Sequence, residues 1–577
     1  WPAGTNTTIN VEPADTCCAN IIYNAFVRQF GPNKSGRFQP PISPDQIQFL
    51  DRSGYSVIPP SGTFRDLIRE LDFIVGGLGC RWIQLLPIHP TPTTYGRMGR
   101  FGSPYAALSF TAVDPALAEF DPAATPLEQF VELVDAIHAR HAKIIIDIAI
   151  NHTGWAAGLH ESHPHWLARN PRGQIEVPGA WGVRWEDLTK LDYAHRDLWR
   201  YMANVFLTWC RRGVDGFRCD AGYMIPLATW KYIIARVRDA FPDTIFLLEG
   251  LGGKISVTRE LLDQANFNWA YSELFQNYDQ AQIETYLPEP TGIAQAEGGM
   301  VHFAETHDNP RLAARSKRYA RMRTAMCALF APHGAFAFAN GVEWLADEKI
   351  DVHGSPSLNW GAEPNLVAHL QRLHTVLREH PAFGDRTDIR MVHAGKGNHV
   401  VLRRHHRPSG RRVWVIVNLD DRSGCEATWH IDPSDPEGAE FTDLLEGAIV
   451  SVVRSDSRMS LALEPGQVLC LAADAHQQKF SMPPPKLFLQ PPARVLEQRL
   501  RAKVLEVHTA ATGVGDLAGF DIEQAVMEIQ NNPLEFCRQV NPHGEESRVV
   551  TWQWPRDLRR RVMIPPDHFL LVHCDTP

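Results

Sequence analysis

Apolar runs long enough to cross a bilayer are missing from this chain. A spanning helix needs about 20 consecutive apolar residues. The longest buried-type runs, KIIIDIAI (143–150) and HFLLVH (568–573), are short and carry polar residues. An excess of positive charge is also missing: 57 Lys and Arg against 66 Asp and Glu leave −9 with histidine neutral. Nothing in that balance favours nucleic acid or an anionic membrane. Patterned cysteine is absent too. The 10 cysteines are scattered apart from adjacent Cys17 and Cys18, with no CxxC spacing, which predicts reduced thiols and a cytoplasmic location. Asn-x-Ser/Thr triplets at Asn6, Asn33 and Asn151 are no more than chance supplies. The chain opens on Trp1 rather than Met, so its start says nothing about a leader peptide.

What the chain does have is material for a large core: 44% of its 577 residues are apolar and 21% charged, as in ordinary globular proteins. After an arm over 1–19, short apolar runs alternate with amphipathic segments from 20 to 385. The runs are NIIYNAFV, RWIQLLPI, KIIIDIAI, VDGFRCDA, TIFLLEG, NWAYSELF, MVHFAETHD and GAFAFAN. Between them, stretches such as TPLEQFVELVDAIHARH and PLATWKYIIARVRDAF space apolar residues at i, i+3, i+4 and i+7, the pattern of surface helices. Near-continuous apolar strands covered by helices mean a parallel sheet buried on both faces. Eight such units predict an α/β fold, a (β/α)8 barrel. An open doubly wound sheet fits less well, because no Gly-rich phosphate loop follows the first strand. Residues 153–195, rich in His, Trp, Pro and Gly, read as an insertion over the barrel mouth after the third strand.

Beyond Pro381 the texture changes. Runs such as RRVWVIVNL and QVLCLAA, separated by turn signals, predict a C-terminal antiparallel β-sandwich over 386–474. A Pro-rich linker (SMPPPKLFLQPP, 481–492) lies in the remaining 475–577, which reads as an additional α+β segment. It ends on a strand-like run without a cap, so a longer natural chain is expected.

The polar residues fall at strand ends. The third strand exits through Asp147, Asn151 and His152, the fourth through Arg218 and Asp220, the fifth through Glu249 and the seventh through His307 and Asp308. Barrel enzymes keep their chemistry at that end. Clustered carboxylates repel one another, and glycoside cleavage is a reaction that uses such a set. Asp220 suits a nucleophile, with Arg218 two residues away on the same side of the strand as its cationic partner. Glu249 follows apolar IFLL, where desolvation would favour its acid form. Asp308 can stabilise an oxocarbenium ion, and His152 and His307 can bind sugar hydroxyls.

DIAINH, GFRCD, Glu249 and ETHDN, in that order, are similar to the four short motifs of the α-amylase superfamily of glycoside hydrolases, and GSPYAALSFTAVDP (102–115) resembles a fifth stretch. The resemblance covers about 20–474. It implies Asp220 as nucleophile, Glu249 as acid/base and Asp308 as transition-state stabiliser. Tyr105, His152, Arg218 and His307 would line the −1 sugar site, with Asp147 and Asn151 supporting it. No cofactor is implied beyond a structural calcium ion, which Asn151 would help hold with ligands from 153–195. The partner implied is an α-glucan or maltooligosaccharide, with no nucleic acid and no membrane.

One departure bears on function. Many superfamily amylases carry Lys-His three and four residues after the nucleophile, where this chain has Tyr223 and Met224. GYMIPLATWKYI (222–233) looks more like relatives that transfer maltosyl or maltooligosyl units. The stretch 53–88 and TWQWPRDLRRRVMIPPDHFLLV (551–572) resemble parts of debranching enzymes. The expectation is a retaining α-1,4-glucan hydrolase. The alternative is a 4-α-glucanotransferase or maltosyltransferase. A non-catalytic glycan-binding barrel is the competing class, and such relatives typically lose carboxylates that this chain keeps.

Blander readings are assigned elsewhere. Asp215, Glu273 and Glu305 read as structural, and Cys219 as packed against helices. His160, His163 and His165 read as loop histidines, and the basic stretch SKRYARMR (316–323) as a solvated outer helix face. Of Trp155, Trp166, Trp181 and Trp185, most should pack the insertion, with one or two reaching substrate.

Overall fold

A computed structural model describes residues 17–473 except 38–41, 56, 93–95, 123, 181, 434, 436, 437 and 456. Beyond them it describes 500–502, 504, 505, 520–532 and 535, and the backbone of 548–554, 557–563 and 572–575, which forms a three-stranded antiparallel sheet. The Pro-rich linker and Trp181 lie outside the described residues.

The eight apolar runs all become strands: β1 (Ile21–Ala25), β2 (Trp82–Leu85), β3 (Lys143–Ile148), β4 (Gly216–Cys219), β5 (Ile245–Leu248), β6 (Trp269–Tyr271), β7 (Gly299–Val301) and β8 (Phe336–Ala339). They pair in parallel in the order β7-β6-β5-β4-β3-β2-β1-β8. A parallel bridge from His302 to Phe336 joins the two edges. There the His302 N–H donates to the Ala335 carbonyl at 3.1 Å, and the Ala337 N–H donates to the His302 carbonyl at 2.8 Å. The sheet is thus a closed (β/α)8 barrel, with no free edge.

Strand alternation builds two cores. Side chains pointing outward, among them Tyr23, Ile144, Ile146, Phe217 and Phe246, pack with the helices. Those pointing inward, including Ile22, Trp82, Ile145, Leu247 and Trp269, fill the barrel. Cys219 belongs to the outward set. The helices follow from local signals. Phe64–Leu71 and Pro126–His138 both start in capping boxes, made by Thr63 with Asp66 and by Thr125 with Glu128. Each such cap contributes about 1 kcal/mol. The Asp215 side chain is 7% exposed, accepting from the Ile144 N–H at 2.9 Å and lying 2.7 Å from His138 Nε2, a structural tie between β3 and the preceding helix.

After β3 the chain makes a strand at His152–Gly154 that pairs antiparallel with Leu188–Lys190, closing the insertion on itself beside the barrel mouth. Arg196–Arg211 is the helix that follows, α1 below. Past the barrel, a six-stranded and a three-stranded antiparallel sheet face each other through Val401, Trp414, Ile416, Trp429 and Met459.

The basic stretch 316–323 is solvated on one face: on its helix, Lys317–Phe330 (α2 below), Lys317, Arg318 and Arg321 are exposed, whereas Tyr319, Ala320, Met322 and Arg323 are buried. Arg315, just before the helix, donates through Nη2 to Asp421 Oδ1 at 2.8 Å and Arg321 Nη2 donates to Glu446 Oε1 at 2.6 Å, both acceptors lying in loops between the C-terminal strands. Arg323 is buried and donates to the Phe275 and Asn277 carbonyls. Periodicity reveals a two-faced helix but not the partners its polar residues meet. Among the described residues no helix is long and apolar enough to cross a membrane.

Candidate active site

Register places the first pair. On adjacent strands, Asp147 of β3 stands directly opposite Arg218 of β4, and both side chains are buried. Arg218 Nη1 donates to both oxygens of Asp147 at 2.9 Å and to Asp220 Oδ1 at 2.5 Å. Its Nη2 lies 3.9 Å from Glu249 Oε2. One guanidinium therefore gathers three carboxylates from three strands.

The exit of β4 is bent to bring the next carboxylate in. Ala221 takes a left-handed backbone, φ 46°, which costs a non-glycine residue roughly 1 kcal/mol. That turn aims the Ala221 N–H at Glu249 Oε2 (2.8 Å), while the Leu251 N–H donates to Oε1 (2.8 Å). Burial, then the charge of Asp220, pushes the Glu249 carboxyl up to about 7, against the pull of Arg218 and the two N–H donors. Burial likewise raises Asp147.

Tyr105 and His307 cover the opposite side. The Tyr105 hydroxyl donates to Asp147 Oδ2 at 3.0 Å and lies 2.9 Å from His307 Nε2. The two rings stack with centroids 5.6 Å apart. Burial lowers the imidazoles of both His152 and His307, keeping them neutral. Asp308 sits further out, its side chain 67% exposed and its Oδ2 3.5 Å from His307 Nε2. Arg218, Tyr271, Phe303, Glu305, His307 and Asp308 line one open cleft. Among the described residues, Arg218 Nε, His152 Nε2 and His307 Nδ1 are buried without a hydrogen-bond partner. Such atoms carry a desolvation penalty that a hydroxyl-rich ligand would remove.

All the residues singled out at strand exits are thus brought together, with Asn151 at the periphery. Its Nδ2 faces the Met224 sulfur at 3.4 Å and His152 Nδ1 at 3.5 Å. Glu305 is a clamp: it accepts from Arg311 Nη1 (2.9 Å) and the Leu312 N–H (2.7 Å), fixing the loop that carries His307 and Asp308. Of the insertion tryptophans, Trp185 stands edge-on to His152, centroids 5.9 Å apart. Trp166 is buried against His163 and Tyr201. Tyr271, hydrogen-bonded to Gln84, went unnoticed in the sequence. It shares its inward parity with Trp269, two residues earlier on β6, and that parity was the available signal.

No family model matches the chain. Solved structures do. An α-amylase from Lactobacillus plantarum superposes with a TM-score of 0.62 at 22% identity, covering 79% of this chain and 98% of that one. A maltogenic α-amylase from Thermotoga neapolitana gives 0.62 at 21%, with 79% and 98% covered. The chain thus has the fold of these α-amylases. Its sequence is similar to alpha-1,4-glucan:maltose-1-phosphate maltosyltransferases. That of Burkholderia pseudomallei is 28% identical over 68% of this chain and 35% of its own length. That of Pseudomonas aeruginosa is 27% identical over 67% and 61%. The chain thus spans about a third to three fifths of the length of these relatives.

Proposed function

We propose that this chain is a retaining transglycosylase that moves a maltosyl or maltooligosyl unit onto the end of an α-1,4-glucan. The observation that carries the reading is the single guanidinium of Arg218 holding Asp220 while buried Glu249 keeps its proton up to about pH 7. Asp220 attacks the anomeric carbon as the Glu249 proton passes to the departing oxygen, giving a β-glycosyl ester on Asp220. Glu249, now a carboxylate, takes the proton of an acceptor hydroxyl. That oxygen displaces Asp220 and restores the α-linkage. Asp308, His307 and His152 hold the sugar hydroxyls and the developing positive charge.

Two features support transfer over hydrolysis. The similar proteins are named maltosyltransferases, and their names give maltose-1-phosphate as donor. On this chain, Tyr223 and Met224 stand where many superfamily amylases carry a Lys-His pair. Their half-buried side chains give the acceptor side an apolar wall that disfavours water.

Incubation with maltose-1-phosphate and maltohexaose should release phosphate and lengthen the glucan by two-residue steps. Maltooligosaccharide alone, if disproportionated, should give products longer than the input. Products that are only shorter would make the chain an amylase-type hydrolase, like the α-amylases whose fold it shares. Asp220→Asn should abolish turnover in either case while leaving the fold intact, and unchanged turnover would remove Asp220 from the nucleophile's role.

A further inference from the structure

We infer that His165, His195 and Asp197 form a zinc site that fastens the inserted segment to the start of α1. Two pieces of chain supply them: the turn Pro164–Trp166 gives His165, and the start of α1 gives His195, at its N-cap, and Asp197, in its first turn. None of them lines the catalytic cleft. One ligand atom from each lies within 4.8 Å of the others. The two imidazole rings stand nearly perpendicular, 84°, with centroids 5.2 Å apart, and His165 Nε2 is 3.3 Å from Asp197 Oδ2. Small rotations of these half-exposed side chains bring such atoms to the spacing of a tetrahedral ion, whose bonds to nitrogen and carboxylate oxygen are about 2.0–2.2 Å.

The surroundings are arranged as an outer layer of a metal site is. Buried Trp166 donates its Nε1–H to Asp197 Oδ2 at 2.9 Å, fixing the carboxylate's direction. Asp192 Oδ2 lies 3.8 Å from His195 Nε2, in position to orient that ring. His163 stacks on Trp166 with centroids 3.9 Å apart and stiffens the turn.

Two imidazoles with one carboxylate are a donor set for zinc, not for calcium or magnesium, which prefer all-oxygen shells. Three protein ligands leave a fourth position for water, and the side chains of His165 and Asp197, 52% and 54% exposed, give the ion a way in. The insertion also carries Trp185 and the strand Leu188–Lys190 that pairs with His152. An ion at its far side would therefore steady the wall beside the cleft.

The test uses the untagged full chain, stripped of metal and titrated with Zn2+ and, as a spectroscopic probe, Co2+. One equivalent of Co2+ should give the intense visible bands of a tetrahedral ion. One equivalent of Zn2+ should raise the thermal midpoint by several degrees. Asp192→Asn should weaken binding about tenfold, as loss of an outer partner does. The double variant H165A/D197N, altered only at half-exposed positions, should fold and lose both signals. Tetrahedral bands and a midpoint shift that persist in the double variant, or a wild-type chain that shows neither, would overturn the site.

Discussion

Burial and charge act on Glu249 in opposite directions, and burial wins. The ordinary value of 4.5 is lifted to about 7, so the folded chain keeps a proton that the unfolded chain has lost. Activity needing a proton donor should fall as pH rises through about 7. In Glu249→Gln, assayed with a donor whose leaving group needs no proton, that basic limb should vanish; its persistence would assign the limb to another group. The same shift has a cost in stability. Between pH 4.5 and 7 the native state binds more protons than the unfolded state, so this group's contribution to stability declines as pH rises and stays low above 7. The thermal midpoint of Glu249→Gln relative to wild type should therefore climb from pH 4.5 to pH 8. At this scale the charged site was legible because arginine and carboxylates interrupt apolar strands, where burial makes a charge expensive. Tyr271 was not, and Trp185 stood out only as one of four insertion tryptophans, because an aromatic residue looks the same in sequence whether it faces a core or a cleft.

Elements were legible for a related reason. A strand of a closed parallel barrel is apolar on both faces and its helix on one, and the two periods separate cleanly in TIFLLEG and PLATWKYIIARVRDAF. The insertion has no such period. Its order comes from the pairing of His152–Gly154 with Leu188–Lys190 and from the packing of Trp166 on Tyr201, contacts between residues far apart in sequence. The strand pair holds Trp185 near His152, where an aromatic ring can cover a bound sugar. Trp185→Ala should raise KM about fivefold to tenfold, the value of one aromatic contact, and leave kcat within about twofold. An unchanged KM would return Trp185 to packing alone.

Across the whole molecule, one apolar core continues from the barrel into the C-terminal sheets. Met322, Met326 and Phe330 of α2 share a buried cluster with Val413, Val415, Cys470 and Ala472. Arg404, from the C-terminal sheet, reaches into that seam. It donates to the Leu329 carbonyl at 3.0 Å, at the last turn of α2, and to the Ala382 carbonyl at 2.7 Å. Its guanidinium lies 4.4 Å from the Phe383 ring centroid. A cation at a helix C-terminus meets the negative end of the helix dipole and satisfies a carbonyl that has no partner within the helix. Periodicity could not show this, since both faces of α2 answer to partners far along the chain. Arg404→Ala should cost about 3 kcal/mol through two buried carbonyls left unpaired, read as a lower urea midpoint. A chain ending at residue 386 should fare worse, because it uncovers the apolar face of α2 to water. Size-exclusion chromatography of that fragment should show aggregates, and a monodisperse, cooperatively melting fragment would mean that the barrel stands without its C-terminal layer.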